Sequence, residues 1–152
     1  MPKPPNDGAA WPIELREADE DDQRFWAGTW EDTYRNSRWA GTIPNHLYRD
    51  VQRVAMRQLT ARPGTRVTLA HAPGDPDALL GYVVHERLPD DSPVVHYLYV
   101  KDPFREGRIA TQLLLGTVGR RFRYTHRTDA ARRFSKPGWE VSYEPGIARR
   151  IG

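Results

Sequence analysis

The stretch HYLYVKDPFREGRIATQLLL, residues 96–115, reads as a strand, a tight turn and a helix in immediate succession. The turn carries Arg105 and Arg108 around Glu106 and Gly107. The first turn of a helix leaves backbone N–H groups unpaired, and these donors, with the helix dipole, attract anions. Two arginines in the same turn add forked donors that match phosphate oxygens. The same residues also suit a plain solvated helix start in which Asp102 or Glu106 acts only as a cap. Local chemistry supports both readings, so the surrounding elements have to decide.

Upstream, WPIELREA (11–18) alternates as a first strand, with Ile13 and Leu15 on one face. The acidic run DEDD (19–22) suits a helix start. The helix that follows, about 20–36, sets Trp26, Trp30 and Tyr34 at i,i+4 spacing, as core or as a substrate-binding wall. NSRWAGTIP (36–44) breaks it. A second helix over about 44–60 turns Leu47, Val51, Val54 and Met56 or Leu59 inward and Arg49, Arg53 and Arg57 outward, until ARPGT (61–65) stops it. Strand candidates at 66–72, 78–88 and 94–100 are joined by PGDPD and PDDSP, turns short enough for an antiparallel meander. Downstream come a helix over 108–122 weakened by Gly116 and Gly119, a short strand at 123–128, one or two helical turns at 129–134 and a last strand at 139–143. This order predicts one α+β domain over residues 11–143 on a mostly antiparallel sheet, with a strand-to-helix crossover after the fourth strand. A flexible tail (1–10) and a basic tail (144–152) flank it.

The composition narrows the function. The 152 residues are 38% apolar and contain no cysteine, which removes disulfides, thiolate metal ligands and a cysteine nucleophile. His46, His71, His85, His96 and His126 are scattered with no pair at metal-ligand spacing, so no metal is expected. The N-terminus lacks an apolar signal core, and no stretch approaches the roughly 18 apolar residues of a membrane span, so a cytoplasmic protein is expected. The net charge of +3 hides an asymmetry: residues 1–100 balance at −4 and residues 101–152 at +7. Such a field favours anions, whether phosphorylated cofactors, nucleic acid or an acidic protein.

The element order, together with LYVKDPFREGRIATQLL (98–114), resembles the GCN5-related N-acetyltransferase (GNAT) superfamily. Its acetyl-CoA segment is a strand, then Gln/Arg-x-x-Gly-x-Gly/Ala, then a helix. Arg105 matches the first position, Ile109 the apolar residue and Ala110 the last, while Arg108 stands where the first glycine belongs and Gly107 falls one place early. WEDTYRNS (30–37) and YTHRT (124–128) are similar to small acetyltransferase-like proteins of tailed bacteriophages and prophages. The resemblance implies helices on both faces of the sheet and a cleft where strands 4 and 5 splay. It implies acetyl-CoA as a substrate, with the backbone from Leu98 to Val100 pairing with the pantetheine arm. The amides of Arg105, Glu106, Gly107, Arg108, Ile109, Ala110 and Thr111 would hold the pyrophosphate. Arg108 would either crowd that path or reach the phosphates itself. An amine would enter near the first two helices, beside Trp30 and Tyr34.

Acetyl transfer to an amine needs a base for the amine and an acid for the departing thiolate. The resemblance puts the base on the central strands, as His96 or Glu86, and the acid as a tyrosine after the fifth strand, where Tyr124 is the candidate. Strict alternation puts His96 on the face of Leu98 and Val100, where a packed, hydrogen-bonded histidine is the competing reading. DAARRFSKPG (129–138) lacks the expected tyrosine. The alternative function is therefore a catalytically silent phage structural or interaction protein, a virion component working through protein contacts. Nucleic acid is not expected as a partner, because no nucleic-acid motif occurs and the aromatics are not interleaved with the basic residues.

Overall fold

In the computed structural model, which describes residues 10–35, 45–105 and 107–149, the alternating run from Thr65 to Val100 folds into three long antiparallel strands. They are β2 (Thr65–Ala72), β3 (Asp75–Arg87) and β4 (Pro93–Val100). β1 (Glu14–Glu17) adds antiparallel to β2, and β5 (Arg121–Tyr124) and β6 (Glu140–Tyr143) add in parallel beyond β4. The six strands stand in sequence order in one open sheet. The helices α1 (Gln23–Arg35) and α2 (Asn45–Thr60) cover one face, and α3 (Ile109–Leu115) covers the other. Each face has its own apolar core. Trp26, Trp30, Met56, Leu59, Tyr82, Val84 and Tyr97 form one, and Leu80, Val83, Leu98, Ile109, Leu113 and Phe122 belong to the other. The α+β architecture expected from the element order is present.

The acidic run opens α1 as its chemistry predicts. Asp19 caps the first turn by accepting the Asp21 N–H, and the Asp22 carboxylate accepts the Asp19 N–H at 2.8 Å. Arg16 of β1 grips the same carboxylate with two bonds of 2.7 and 2.9 Å, tying the first strand to the first helix.

Two expectations are corrected. On α2, Met56 and Leu59 point inward as expected, but Leu47, Val51 and Val54 are exposed and Tyr48 is buried in their stead. The buried face is the stripe Tyr48, Gln52, Met56 and Leu59 at i,i+4 and i,i+3 spacing, and the exposed Arg49 and Arg53 beside it reach the buried carboxylate of Glu31 on α1 at 2.9 and 3.2 Å. Second, the helix expected over 108–122 ends at Leu115. Gly119, at φ +80°, donates to the Leu114 carbonyl, and a Cβ on Gly116 would stand 2.4 Å from Leu15. The fifth strand therefore starts at Arg121 and stops at Tyr124. Within the segment read as a basic tail, α5 (Gly146–Arg149) buries Ile147. The expected tail at 1–9 and the helix break at 36–44 lie outside the described residues.

The positive half of the chain is partly paired within itself. Arg121 meets Glu140 at 2.9 Å and Arg123 meets Glu144 at 3.1 Å, while the Arg120 and Arg127 guanidinium groups lie over Trp139 and Tyr143. Among the described residues no helix is long and apolar enough to cross a membrane.

The Arg16–Asp22 link gives a pH test. Hydrogen bonds from Arg16, acting against burial, hold the Asp22 carboxyl down to about 2. A lowered folded value means stability present above the ordinary carboxylate range and lost as pH falls from about 4 toward 2. Asp22→Asn should cost about 1–2 kcal/mol at pH 7 in urea unfolding, discounted for solvent screening. The difference from the native chain should close near pH 2.

Candidate active site

The sheet splits between β4 and β5. Their pairing covers only Val94 with Arg123 and Val95 with Tyr124, and the Thr125 N–H makes a last bond of 3.1 Å to the Val95 carbonyl. Among the described residues β4 continues to Val100 with no strand paired on that side, and the chain beyond Thr125 turns away into α4 (Asp129–Arg132). Thr128 starts that helix by accepting the Ala131 N–H.

A bulge sits at the base of the split. Val84 faces Tyr97 but His85 faces Val95, so β4 carries one extra residue, His96, against β3. The bulge overturns the strict alternation expected from the sequence. His96 does not lie on the Leu98 and Val100 face, and its ring turns toward Glu86. The two base candidates are thus a bonded pair, with His96 Nε2 2.7 Å from Glu86 Oε1. Both are almost wholly buried. Arg62, just past α2, donates to the same carboxylate oxygen at 3.1 Å and to the carbonyls of Ile147 and Ala148 at 3.0 and 3.1 Å. Burial pushes the Glu86 carboxyl up, but hydrogen bonds from His96 and Arg62 outweigh it and hold the group below its ordinary value. Glu86 is therefore an anion at neutral pH.

The network continues outward. His96 Nδ1 lies 2.8 Å from Thr125 Oγ1, and the same hydroxyl lies 2.8 Å from His126 Nδ1. The His126 ring stands edge-on to Trp30 at 5.6 Å and to Tyr34 at 5.4 Å. Burial, aided by the neighbouring His96, lowers the His126 imidazole to about 4, so it is neutral at neutral pH.

The remaining candidates fall into three groups. Trp30 is wholly buried and stacks on Tyr97 at 5.4 Å, so its place is in the core, while half-buried Tyr34 faces His126. Tyr124 packs on Tyr143 at 5.4 Å and lines the same small cavity as His96, Leu98 and His126. Leu114, Phe122 and Phe134 fill that wedge and leave about 10 Å³, room for roughly one water. Leu98, Val100 and Ile109 are buried in the core behind the split, with Ala110 and Thr111 half-buried above them. Glu106 lies outside the described residues.

The turn itself explains its misplaced glycine. The Trp11 N–H donates to the Gly107 carbonyl at 2.9 Å, Gln112 holds the Trp11 carbonyl, and a Cβ on Gly107 would stand 1.5 Å from the Trp11 ring. Glycine is required at 107 by this packing. Arg108 then takes the left-handed backbone, φ +58°, at a cost of about 1 kcal/mol or more relative to glycine. Its side chain is exposed. Arg105 is not free: it pairs with Asp102 and its Nε donates to the Val100 carbonyl at 3.0 Å. α3 has only seven residues.

Arg62, Thr125 and His126 escaped the sequence reading as site residues. Thr125 and His126 lay in the YTHRT stretch without a spacing signal, and Arg62 looked like part of a helix stop. Among the described residues, no group of three or more His, Asp or Glu side chains could hold a metal ion.

No family model matches the chain, and no curated protein matches it in sequence. Among solved structures, a Pyrococcus furiosus protein described as an acetyl transferase aligns at a TM-score of 0.56 and 14% identity, covering 88% of this chain and 82% of that one. A GNAT-family acetyltransferase from Staphylococcus aureus Mu50 aligns at 0.48 and 15% identity, over 70% and 63% of the two chains. A ribosomal-protein-alanine N-acetyltransferase from Brucella melitensis aligns at 0.45 and 18%, over 91% and 86%. The first of these carries the assignment: the chain has a GNAT-like fold.

The Arg62–Glu86 contact is testable by stability. Arg62→Met leaves a buried carboxylate with only His96 and strips two bonds from α5, so it should cost about 3 kcal/mol in urea unfolding. Glu86→Gln should cost less, because the neutral amide needs no counter-ion and Arg62 keeps its carbonyls. The reverse order would remove Glu86 as the group that Arg62 serves.

Proposed function

We propose that the protein transfers an acetyl group from acetyl-CoA to an amine. The observation that carries this reading is the split of β4 from β5 with a buried Glu86–His96 pair at its base. A strand edge without a partner suits an extended thioester arm, which can pair with the main chain of Leu98 to Val100 as an added strand. The exposed Arg108 and the amides that open α3 stand at the end of that edge, where an anionic pyrophosphate would lie, whereas the Arg105 and Gly107 N–H groups already donate to the carbonyls of Asp102 and Phe104. Acetyl-CoA supplies the activated acyl group. The chain supplies the rest: Glu86, fixed by Arg62, orients His96, and the imidazole receives the proton that the amine must lose. Tyr124 lines the wedge and is the candidate acid, while Tyr34 borders the amine side.

The filled wedge favours a second reading. With about 10 Å³ between Phe134, Leu114 and Phe122, the arm fits only after the side chains move apart. Arg105 already occupies the Val100 carbonyl. A catalytically silent protein working through protein contacts would keep this packing, as the similarity of its motifs to phage proteins implied. The exposed Leu47, Val51 and Val54 on α2 would serve such contacts.

Calorimetry separates the two. Acetyl-CoA and CoA should both bind, and absence of binding at millimolar cofactor would sink the enzyme reading. Arg108→Gly should raise the melting temperature, because glycine accepts the left-handed backbone more easily. The same variant should weaken CoA binding about tenfold through loss of a charge-assisted phosphate contact. Unchanged affinity would remove Arg108 from the phosphate site.

A further inference from the structure

Glu86, His96, Thr125 and His126 form a chain of hydrogen-bonding groups with links of 2.7, 2.8 and 2.8 Å, running from β3 across β4 to the turn after β5. Its inner end is anchored. An ionised carboxylate can only accept, so His96 Nε2 must carry a hydrogen toward Glu86. The Thr125 hydroxyl must give its one proton to an acceptor, and among the described residues the two Nδ1 atoms are its bonded partners, so it donates to one and accepts from the other.

Only two arrangements satisfy all three links. In one, His126 Nδ1–H donates to Thr125 Oγ1 and the Thr125 hydroxyl donates to His96 Nδ1, with both rings neutral and His126 Nε2 free of hydrogen. In the other, His96 Nδ1–H donates to Thr125 and Thr125 donates to His126 Nδ1. His96 is then an imidazolium against Glu86, and the hydrogen of His126 sits on Nε2. The two differ by one proton and by the direction of both bonds to Thr125, while His96 Nε2–H donates to Glu86 in each. A proton accepted at His126 Nε2 therefore appears at His96 Nδ1 without either ring moving.

We propose that these four residues are a proton relay, with His126 as the outer station that takes the proton of the acyl acceptor and the Glu86–His96 pair as its buried sink. This rests on the acetyl-transfer reading for its substrate but not for its geometry. The step balances simply. An ammonium gives its proton to His126 Nε2, Nδ1–H passes to the Thr125 oxygen, and the hydroxyl proton passes to His96. The neutral amine is left as nucleophile, with no change of oxidation state. His126 is placed for the outer role. Trp30 and Tyr34 of α1 flank it, and it is half-buried, whereas His96 and Thr125 are buried. Glu86 and Arg62 face His96 from the inner side, with His85 close enough to act through its field. Thr125 is the coupling element. It is buried and touches both rings, and valine copies its shape without the hydroxyl.

Nitrogen-15 NMR of the histidine rings in the full chain, without cofactor, tests the relay directly. As pH falls, His96 should gain its proton at Nδ1 and His126 should move its hydrogen from Nδ1 to Nε2 in the same transition. In Thr125→Val the two rings should titrate independently, and in Thr125→Ser the joint transition should return. A His126 tautomer that stays constant while His96 titrates would overturn the proposal, as would a joint transition that survives in Thr125→Val. In acetyl transfer, Thr125→Val should lower kcat about a hundredfold with the KM for acetyl-CoA unchanged, and Thr125→Ser should restore it. A chain that shows the coupled tautomer shift but binds no CoA would refute acetyl transfer and leave the relay standing. CoA binding without the coupled shift would do the opposite.

Discussion

Glu86 carries its carboxylate into the sheet face covered by α1 and α2, and an ion buried there is stable only because Arg62 and His96 both meet it. That requirement reaches far along the chain. Arg62 comes from the stop of α2, and its remaining donors hold the carbonyls of α5, so the C-terminal turn is fixed by the same cation. His96 must leave the alternation of β4 to reach the carboxylate, which makes the bulge. Its other nitrogen then needs a partner, and Thr125, just past the last β4–β5 bond, supplies it. One buried charge thus ties together the α2 stop, the β4 bulge, the start of the split and the C-terminal helix.

The split follows from the same geometry. A bulged strand twists more strongly than a regular one. β5 is four residues long and pairs with β4 through two residue pairs before turning toward α4. The side of β4 that looks across the wedge is apolar, and Phe134 and Phe122 close over it. Polar function is therefore confined to the base of the wedge and to the turn at its far end. The turn has its own constraint: Trp11 packs where a side chain on residue 107 would be, so the glycine sits there and Arg108 accepts the left-handed backbone.

Much of the architecture was legible because it depends on local rules. Strand alternation, the two short turns of the meander and the acidic cap of α1 each write a short-range signature, and the structure follows them except where the β4 bulge breaks the alternation at His96. The readings that failed did so where a distant partner outweighed a local preference. Leu47, Val51 and Val54 formed an apolar stripe at helical spacing, yet the face that packs is the neighbouring one of Tyr48, Gln52, Met56 and Leu59, while Arg49 and Arg53 stay exposed and reach Glu31 from the side. Gly116 and Gly119 were seen to weaken the next helix, but the closeness of Leu15 could not be read from the helix alone. At the site, His96 and Glu86 were each visible as a candidate base. Their pairing was not, because a single inserted residue in a strand reverses which side chain faces which layer.

The sequence by itself determined the order of elements, the meander that brings β4 to the turn at 101–108, and the residue types capable of acid–base chemistry. Periodicity, turn chemistry and side-chain pKa class are properties of short segments, so they can be read in one dimension. Only the tertiary structure decided that Glu86, His96, Thr125 and His126 are bonded in a line, that Arg62 balances the buried charge, and that Arg105 is turned back onto Asp102 and Val100. Those outcomes depend on register, on a bulge and on the desolvation of charges brought together from separate elements. No spacing along the chain encodes them, because the free energy that selects them exists only when all the partners are in place.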